Sequence, residues 1–148
     1  SVHAYILGEH GDSEVPIWSN ATIGGQGIHK ETVLGREWED DTMDALFEQA
    51  RNAAYEIIDR KGYTDAAIGV VIARIVRAIV EDQQNVLPVS VRPRGAYDID
   101  DVCLSTPCVL GLEGVEAHVN PTLSDGERTA LQASAQALKD SLADLSIE

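Results

Sequence analysis

Residues 42–82 read TMDALFEQARNAAYEIIDRKGYTDAAIGVVIARIVRAIVED, and the period of their apolar side chains decides the fold class. Met43, Leu46, Phe47, Ala50, Ala53, Ala54, Ile57 and Ile58 recur at three- and four-residue spacing and give one apolar helical stripe. Asp40, Asp41 and Asp44 stand near its start, and Arg60 and Lys61 near its end. Both placements complement the helix dipole, and Gly62 supplies a stop. A second helix is expected over about residues 65–82, apolar on nearly all sides from Ala66 to Ile79. Such a helix is expected to be buried against several neighbours at the centre of the domain.

Upstream of this pair, Val2, Ala4 and Ile6 alternate with His3, Tyr5 and Leu7, the period of a half-buried strand. It runs into the glycine-flanked turn Gly8-Glu9-His10-Gly11-Asp12. Residues 19–41 show no clear period, and Gly24, Gly25, Gly27 and Gly35 point to loops. Downstream, Val86 to Val91 reads as a strand, with Pro88 placing it at an edge or a strand start. Val102 to Leu112 and Val115 to Val119 flank Glu113-Gly114, a hairpin signal. Ser124-Asp125-Gly126-Glu127 has capping-box form ahead of Leu131, Ala135, Leu138, Leu142 and Leu145. That spacing predicts a closing amphipathic helix packed on the domain. Strand, loops, two helices, several strands and a helix make a segregated α+β domain, without repeat or internal linker.

The 148 residues suit one domain, and the net charge of −14 is shared equally by the two halves. No basic patch is large enough to track a phosphate backbone, so nucleic acid and anionic membranes are not expected partners. The longest apolar run, Ala66 to Ala73, is too short to span a bilayer, and no basic-then-apolar leader opens the chain. Cys103 and Cys108 are separated by an odd offset in a strand-like run, which prevents their pairing. Two buried thiols in a reducing compartment are expected.

His10 is the residue placed for chemistry. It follows a strand end between Gly8 and Gly11, with Glu9, Asp12, Ser13 and Glu14 around it. A histidine there can carry a proton near neutral pH. Local composition alone favours the plainer reading, a solvated turn histidine, and supports only weakly a metal site of His10, Asp12 and Glu14. Gly24-Gly25-Gln26-Gly27 is followed by Ile28, His29 and Lys30, which is not the spacing of a dinucleotide or P-loop fingerprint. A plain flexible loop is expected there. Ser13 lacks a nucleophile-elbow context, so a hydrolase triad is unsupported.

Val2 to Glu14 as a whole closely resembles the catalytic-histidine segment of the L-lactate dehydrogenases. Asn52-Ala53-Ala54-Tyr55-Glu56-Ile57-Ile58, then Lys61-Gly62-Tyr63-Thr64 and Ala67-Ile68-Gly69, resemble the same group's second substrate-domain signature. Val86-Leu87-Pro88-Val89-Ser90 and the final helix with Leu138-Lys139 extend the likeness over essentially the whole chain. Within the lactate/malate group, the Lys-Gly-Tyr-Thr run favours lactate over malate. The resemblance implies a C-terminal substrate domain over residues 1–148, with mixed or antiparallel strands packed with long helices. The family's nucleotide-binding Rossmann half, its mobile loop with a polarising arginine and its Asp-x-x-Arg segment all precede the part matched here. Ser1, a non-Met residue directly inside a strand-like segment, fits that reading.

By this resemblance His10 gives a proton to the pyruvate carbonyl and takes it back from (S)-lactate, with NAD as the hydride cofactor and no metal. Thr64 lines the substrate pocket; on the residues alone it reads as the N-cap of the second helix. Ile68 packs near the nicotinamide ring, and core packing is its plain alternative. His3 stands where fructose 1,6-bisphosphate-regulated members bind the sugar phosphate at a subunit interface; its plain alternative is a strand-surface histidine. A cytoplasmic, fermentative, homotetrameric enzyme is implied, inactive without its NAD-binding half. Malate or another 2-hydroxy acid as substrate, or a non-catalytic assembly module, are the alternatives.

Overall fold

The computed structural model describes residues 1–28, Val33 and 35–145. Among the described residues, eight strands and three α-helices carry the fold. Strands β1 (Val2–His3) and β2 (Ile6–Leu7) open the chain, followed by β3 (Val15–Pro16), β4 (Thr22–Ile23) and β5 (Gln26–Gly27). Helices α1 (Asp40–Lys61) and α2 (Ala66–Val80) come next. Strands β6 (Asn85–Val91), β7 (Leu104–Gly111) and β8 (Gly114–His118) and helix α3 (Asp125–Asp144) complete it. Among the described residues every strand pairing is antiparallel, and β1-β4-β5, β2-β3 and β6-β7-β8 form three small sheets. This is the expected α+β arrangement, with the helices segregated from the strands.

The helix boundaries follow their local signals. Gly62 ends α1 in the left-handed region at φ 85°, where its N–H reaches the Ile58 carbonyl. Ser124 and Glu127 close the reciprocal capping box of α3. Glu113-Gly114 turns β7 into β8, and β6, the strand carrying Pro88, lies at the sheet edge.

Four expectations are corrected. The single strand over residues 2–7 is two, because β1 pairs with β4 and β2 with β3, and the chain switches sheets at Ala4-Tyr5. Gly24-Gly25 is a tight hairpin turn between β4 and β5, with φ values of 60° and 85° that suit glycine. His29 and Lys30, which follow it, lie outside the described residues. Cys103 is exposed just before β7, whereas Cys108 is buried within it. The N-cap position of α2 is held by Asp65, not Thr64, and no side chain makes a capping hydrogen bond there.

The largest departure is α2. It touches the β6–β7 sheet through buried Ala78 and half-buried Ile75, against Leu87, Cys108 and Leu110. Apart from half-buried Ile79, its remaining apolar side chains are open, with Val70 and Val80 exposed at 71% and 70%. Apolarity all round a helix records how much surface needs covering; in this chain only one strip of it is covered.

The main core lies elsewhere. Leu7 and Val15 from the β2–β3 pair meet Ile17, Ile99, Val102, Leu104, Leu131 and Ala135, so that α3 clamps the first strands onto β7. Tyr97 closes this core at φ 60°, its hydroxyl donating to the Pro121 carbonyl at 2.9 Å and its backbone carbonyl accepting from Gln132 Nε2 at 3.0 Å. Burial pushes the Tyr97 phenol up to about 12. Its unfolded value is near 10, so the stabilisation is complete below about pH 10 and is lost as pH rises toward the folded value. Tyr97→Phe should cost about 1 kcal/mol at neutral pH by losing the hydrogen bond. Its urea midpoint should also fall less steeply than the parent's between about pH 10 and 12, and equal slopes would count against the buried phenol.

Candidate functional site

The turn that carries His10 is fastened on its inner side. Gly8 exchanges two backbone hydrogen bonds with Ser105 of β7, at 3.0 and 2.8 Å. The next residue, Glu9, donates its backbone N–H to Ser134 Oγ of α3 at 2.8 Å. Ser13 bridges back: its hydroxyl reaches the Glu9 carboxylate and lies 3.2 Å from Ser134 Oγ. Buried Ser134 therefore joins both ends of the turn to α3. Gly8 sits at φ +99°, and a Cβ there would meet Ser134 Oγ at 2.6 Å. Only glycine suits that position without rearrangement.

With its ends held, the turn leaves the His10 imidazole exposed on the rim of a cleft of about 250 Å³. Gly11, Asp12 and Glu14 form one wall of this cleft, and Ala50, Arg51, Ala54 and Tyr55 of α1 form the other. Ala50 and Ala54, one turn apart, give the cleft its width, since neither side chain fills it. Tyr55 Oη donates to Asp12 Oδ1 at 3.2 Å across the mouth. Burial pushes the Glu14 carboxyl up, while nearby His10 and Arg51 pull it down and Glu9 and Asp12 add to the rise. Arg51 is partly engaged already, paired with Glu48 at 2.7 Å and lying 5.7 Å from the Phe47 ring centre. The cleft thus holds an imidazole, two carboxylates and one guanidinium around a small opening. That set can move a proton at a polar substrate.

Thr64, Ile68 and His3 do not line this cleft. Thr64 is exposed in the connection between α1 and α2, and Ile68 is 53% exposed on the first turns of α2. His3 is exposed on β1, opposite Thr22 of β4. Arg51 and Ser134 escaped the sequence reading. Ser134 carries no local signal, because its partners lie more than a hundred residues away along the chain. Among the described residues, no group of three His, Cys, Asp or Glu side chains is placed to hold a metal ion. Among them, too, no helix is long and apolar enough to cross a membrane.

A nicotinamide dinucleotide needs a face for its ring and a cradle for its phosphates. Exposed Ile68 offers an aliphatic face of the first kind. The glycines at 24, 25 and 27 have nothing within 4 Å of a built Cβ and serve a hairpin, so they form no close cradle. The described residues fit the ring end of such a cofactor and not its phosphates.

The family model for the lactate/malate dehydrogenase alpha/beta C-terminal domain matches residues 1–146. The L-lactate dehydrogenase of Salinibacter ruber is 76% identical over 147 residues, which are 99% of this chain and 46% of that protein. The L-lactate dehydrogenase of a Synechococcus species is 50% identical over 139 residues, 94% of this chain and 44% of that protein. Among solved structures, a lactate dehydrogenase from a Medee basin deep-sea metagenome library has a TM-score of 0.92 at 41% identity. The match covers 98% of this chain and 46% of that one. The minor L-lactate dehydrogenase of Enterococcus mundtii also gives 0.92, at 39% identity, over 100% of this chain and 47% of that one. The chain spans about half the length of the curated relatives it matches.

Proposed function

The chain belongs to the lactate/malate dehydrogenase family through that family's C-terminal domain, and from this membership we propose that it is the substrate-side half of an NAD-dependent L-lactate dehydrogenase. In this reading it serves the interconversion of pyruvate and (S)-lactate. The observation that supports it is the exposed His10 imidazole, held on a turn fastened to β7 and α3 at the rim of a small cleft that it shares with Asp12, Glu14 and Arg51.

When bound, the cofactor supplies or removes a hydride at the substrate carbon. This chain's part is the proton. As negative charge develops on the pyruvate oxygen, protonated His10 donates to that oxygen, and in the reverse direction neutral His10 accepts the lactate hydroxyl proton. Thr64, on the connection beside α2, is assigned to the substrate side, and Ile68 to the nicotinamide ring. Neither can bind the cofactor phosphates, so the isolated chain is assigned no turnover. His3 is assigned to an anionic sugar bisphosphate effector at a subunit interface, and its exposed position leaves the imidazole available for this. The open aliphatic face of α2 supports assembly with the NAD-binding half or with further copies; a cytoplasmic homotetramer is assigned from the family resemblance alone.

The test joins this chain to the remaining portion of the Salinibacter ruber relative and follows NADH oxidation by pyruvate. Turnover in the joined protein, absent from either part alone, is the expected result. A joined, folded protein inert toward pyruvate but active on oxaloacetate would move the assignment to malate. Inertness toward both would leave an assembly module.

A further inference from the structure

Helix α1 is held at widely separated points. Its buried residue is Met43, which packs with Ala21, Ile28 and Trp18 near the helix start. Tyr55 lies twelve residues further on, roughly 18 Å along the axis at 1.5 Å per residue. Between them the helix wall of the cleft is made of two alanines and Arg51, which reach no side chain of the His10 turn by hydrogen bond. Among the described residues, Tyr55 Oη to Asp12 Oδ1 is the one side-chain hydrogen bond that ties α1 to that turn. A tilt of about 5° around Met43 would move the Tyr55 end by roughly 1.5 Å over that lever length, enough to open or close a small site.

We propose that Tyr55 is a positioning residue for the proposed proton transfer: its hydroxyl latches Asp12, and with it the His10 turn, onto α1 and sets the width of the substrate cleft. This rests on the dehydrogenase reading above and adds to it a residue that acts through Asp12, not on the reacting atoms. The turn then has two anchors. Ser134 holds its inner side to α3, and Tyr55 holds its outer side to α1. The inner anchor rests on the buried Ser134 side chain; the outer one is exposed and so can exchange with water. The hydrogen bond to Asp12, then the negative charge of Asp12 and then desolvation, raise the Tyr55 phenol above its ordinary range against the pull of Arg51, with Glu9 adding least. That gives the latch a spectroscopic signature of its own.

If the latch sets the fraction of molecules whose cleft is competent, its loss lowers that fraction, so apparent substrate affinity falls in proportion while the turnover of bound substrate is left alone. In the joined protein described above, Tyr55→Phe should raise KM for pyruvate roughly five- to tenfold with kcat within twofold. Asp12→Ala should raise KM at least as much, and adding Tyr55→Phe to it should raise KM no further. Tyrosinate absorbance, read as the difference between parent and Tyr55→Phe, should show Asp12→Ala lowering the pH at which Tyr55 ionises. Independent, multiplying effects on KM, or a KM unmoved by Tyr55→Phe in an active protein, overturns the positioning role alone. An inert joined protein whose tyrosine titration still answers to Asp12 overturns the reaction and, with it, the role, while the bond itself stands.

Discussion

His10→Asn in the joined protein should lower kcat for pyruvate reduction by about 10²–10⁴-fold, the range over which a positioned acid–base side chain contributes. The size follows from what the asparagine keeps and loses. Its amide still donates a hydrogen bond from a similar place, but it cannot release a proton to the developing alkoxide. Binding should therefore suffer much less than turnover. Folding should hardly respond, because the imidazole is exposed and makes no side-chain hydrogen bond among the described residues. A urea midpoint shift worth less than about 0.5 kcal/mol is expected, as for other exposed substitutions. This separation of rate from stability is what distinguishes a proton carrier from a solvated turn histidine. A His10→Asn protein that retains kcat within tenfold would return His10 to the bland reading.

Sequence periodicity revealed the elements far better than it revealed their surroundings. The stripe from Met43 to Ile58, the stop at Gly62 and the capping box at Ser124 are local signals, and each set its helix end because the backbone groups concerned are satisfied within a turn. For α2 the same kind of signal misled. Ala66 to Ile79 shows that the helix is apolar, but whether it is covered depends on what packs beside it, and here only Ala78 is fully buried. Cys103 and Cys108 fail for a related reason: an alternating pattern cannot say that the strand begins at Leu104 and leaves Cys103 outside. The turn around His10 was legible as a glycine-flanked turn. Its fastening to Ser105 and Ser134 was not, since nothing in Ser134's own neighbourhood marks it as a partner for residues near the chain start. The α1 wall of the cleft was hidden in a different way. Arg51 lies among residues read as helical stripe, and only the packed geometry shows that Ala50, Ala54 and Tyr55 face the turn.

Gly8→Ala should destabilise the chain by about 2–5 kcal/mol, a large share of the 5–15 kcal/mol typical of a domain. Two costs combine. An alanine at φ +99° is in a region L side chains avoid, which costs about 1–2 kcal/mol. The added methyl also arrives 2.6 Å from Ser134 Oγ and 3.2 Å from Ser134 Cβ, so the serine must move. It cannot move freely, because its oxygen is the acceptor for the Glu9 N–H and a partner of the Ser13 hydroxyl. Losing a buried acceptor from that N–H adds about 1–3 kcal/mol. Gly126→Ala is the matched control: it sits inside α3 at ordinary φ with nothing within 4 Å of the new methyl. There alanine should be neutral or stabilising by up to about 1 kcal/mol, through helix propensity. Combining Gly8→Ala with Ser134→Ala separates the two costs. Removing the serine oxygen relieves the closest contact but leaves the φ strain and an unpaired Glu9 N–H, so recovery should be partial. Full recovery would mean that the steric contact alone makes Gly8 necessary. Equal urea midpoints for Gly8→Ala and Gly126→Ala would mean that the inner anchor of the His10 turn does not hold the fold together.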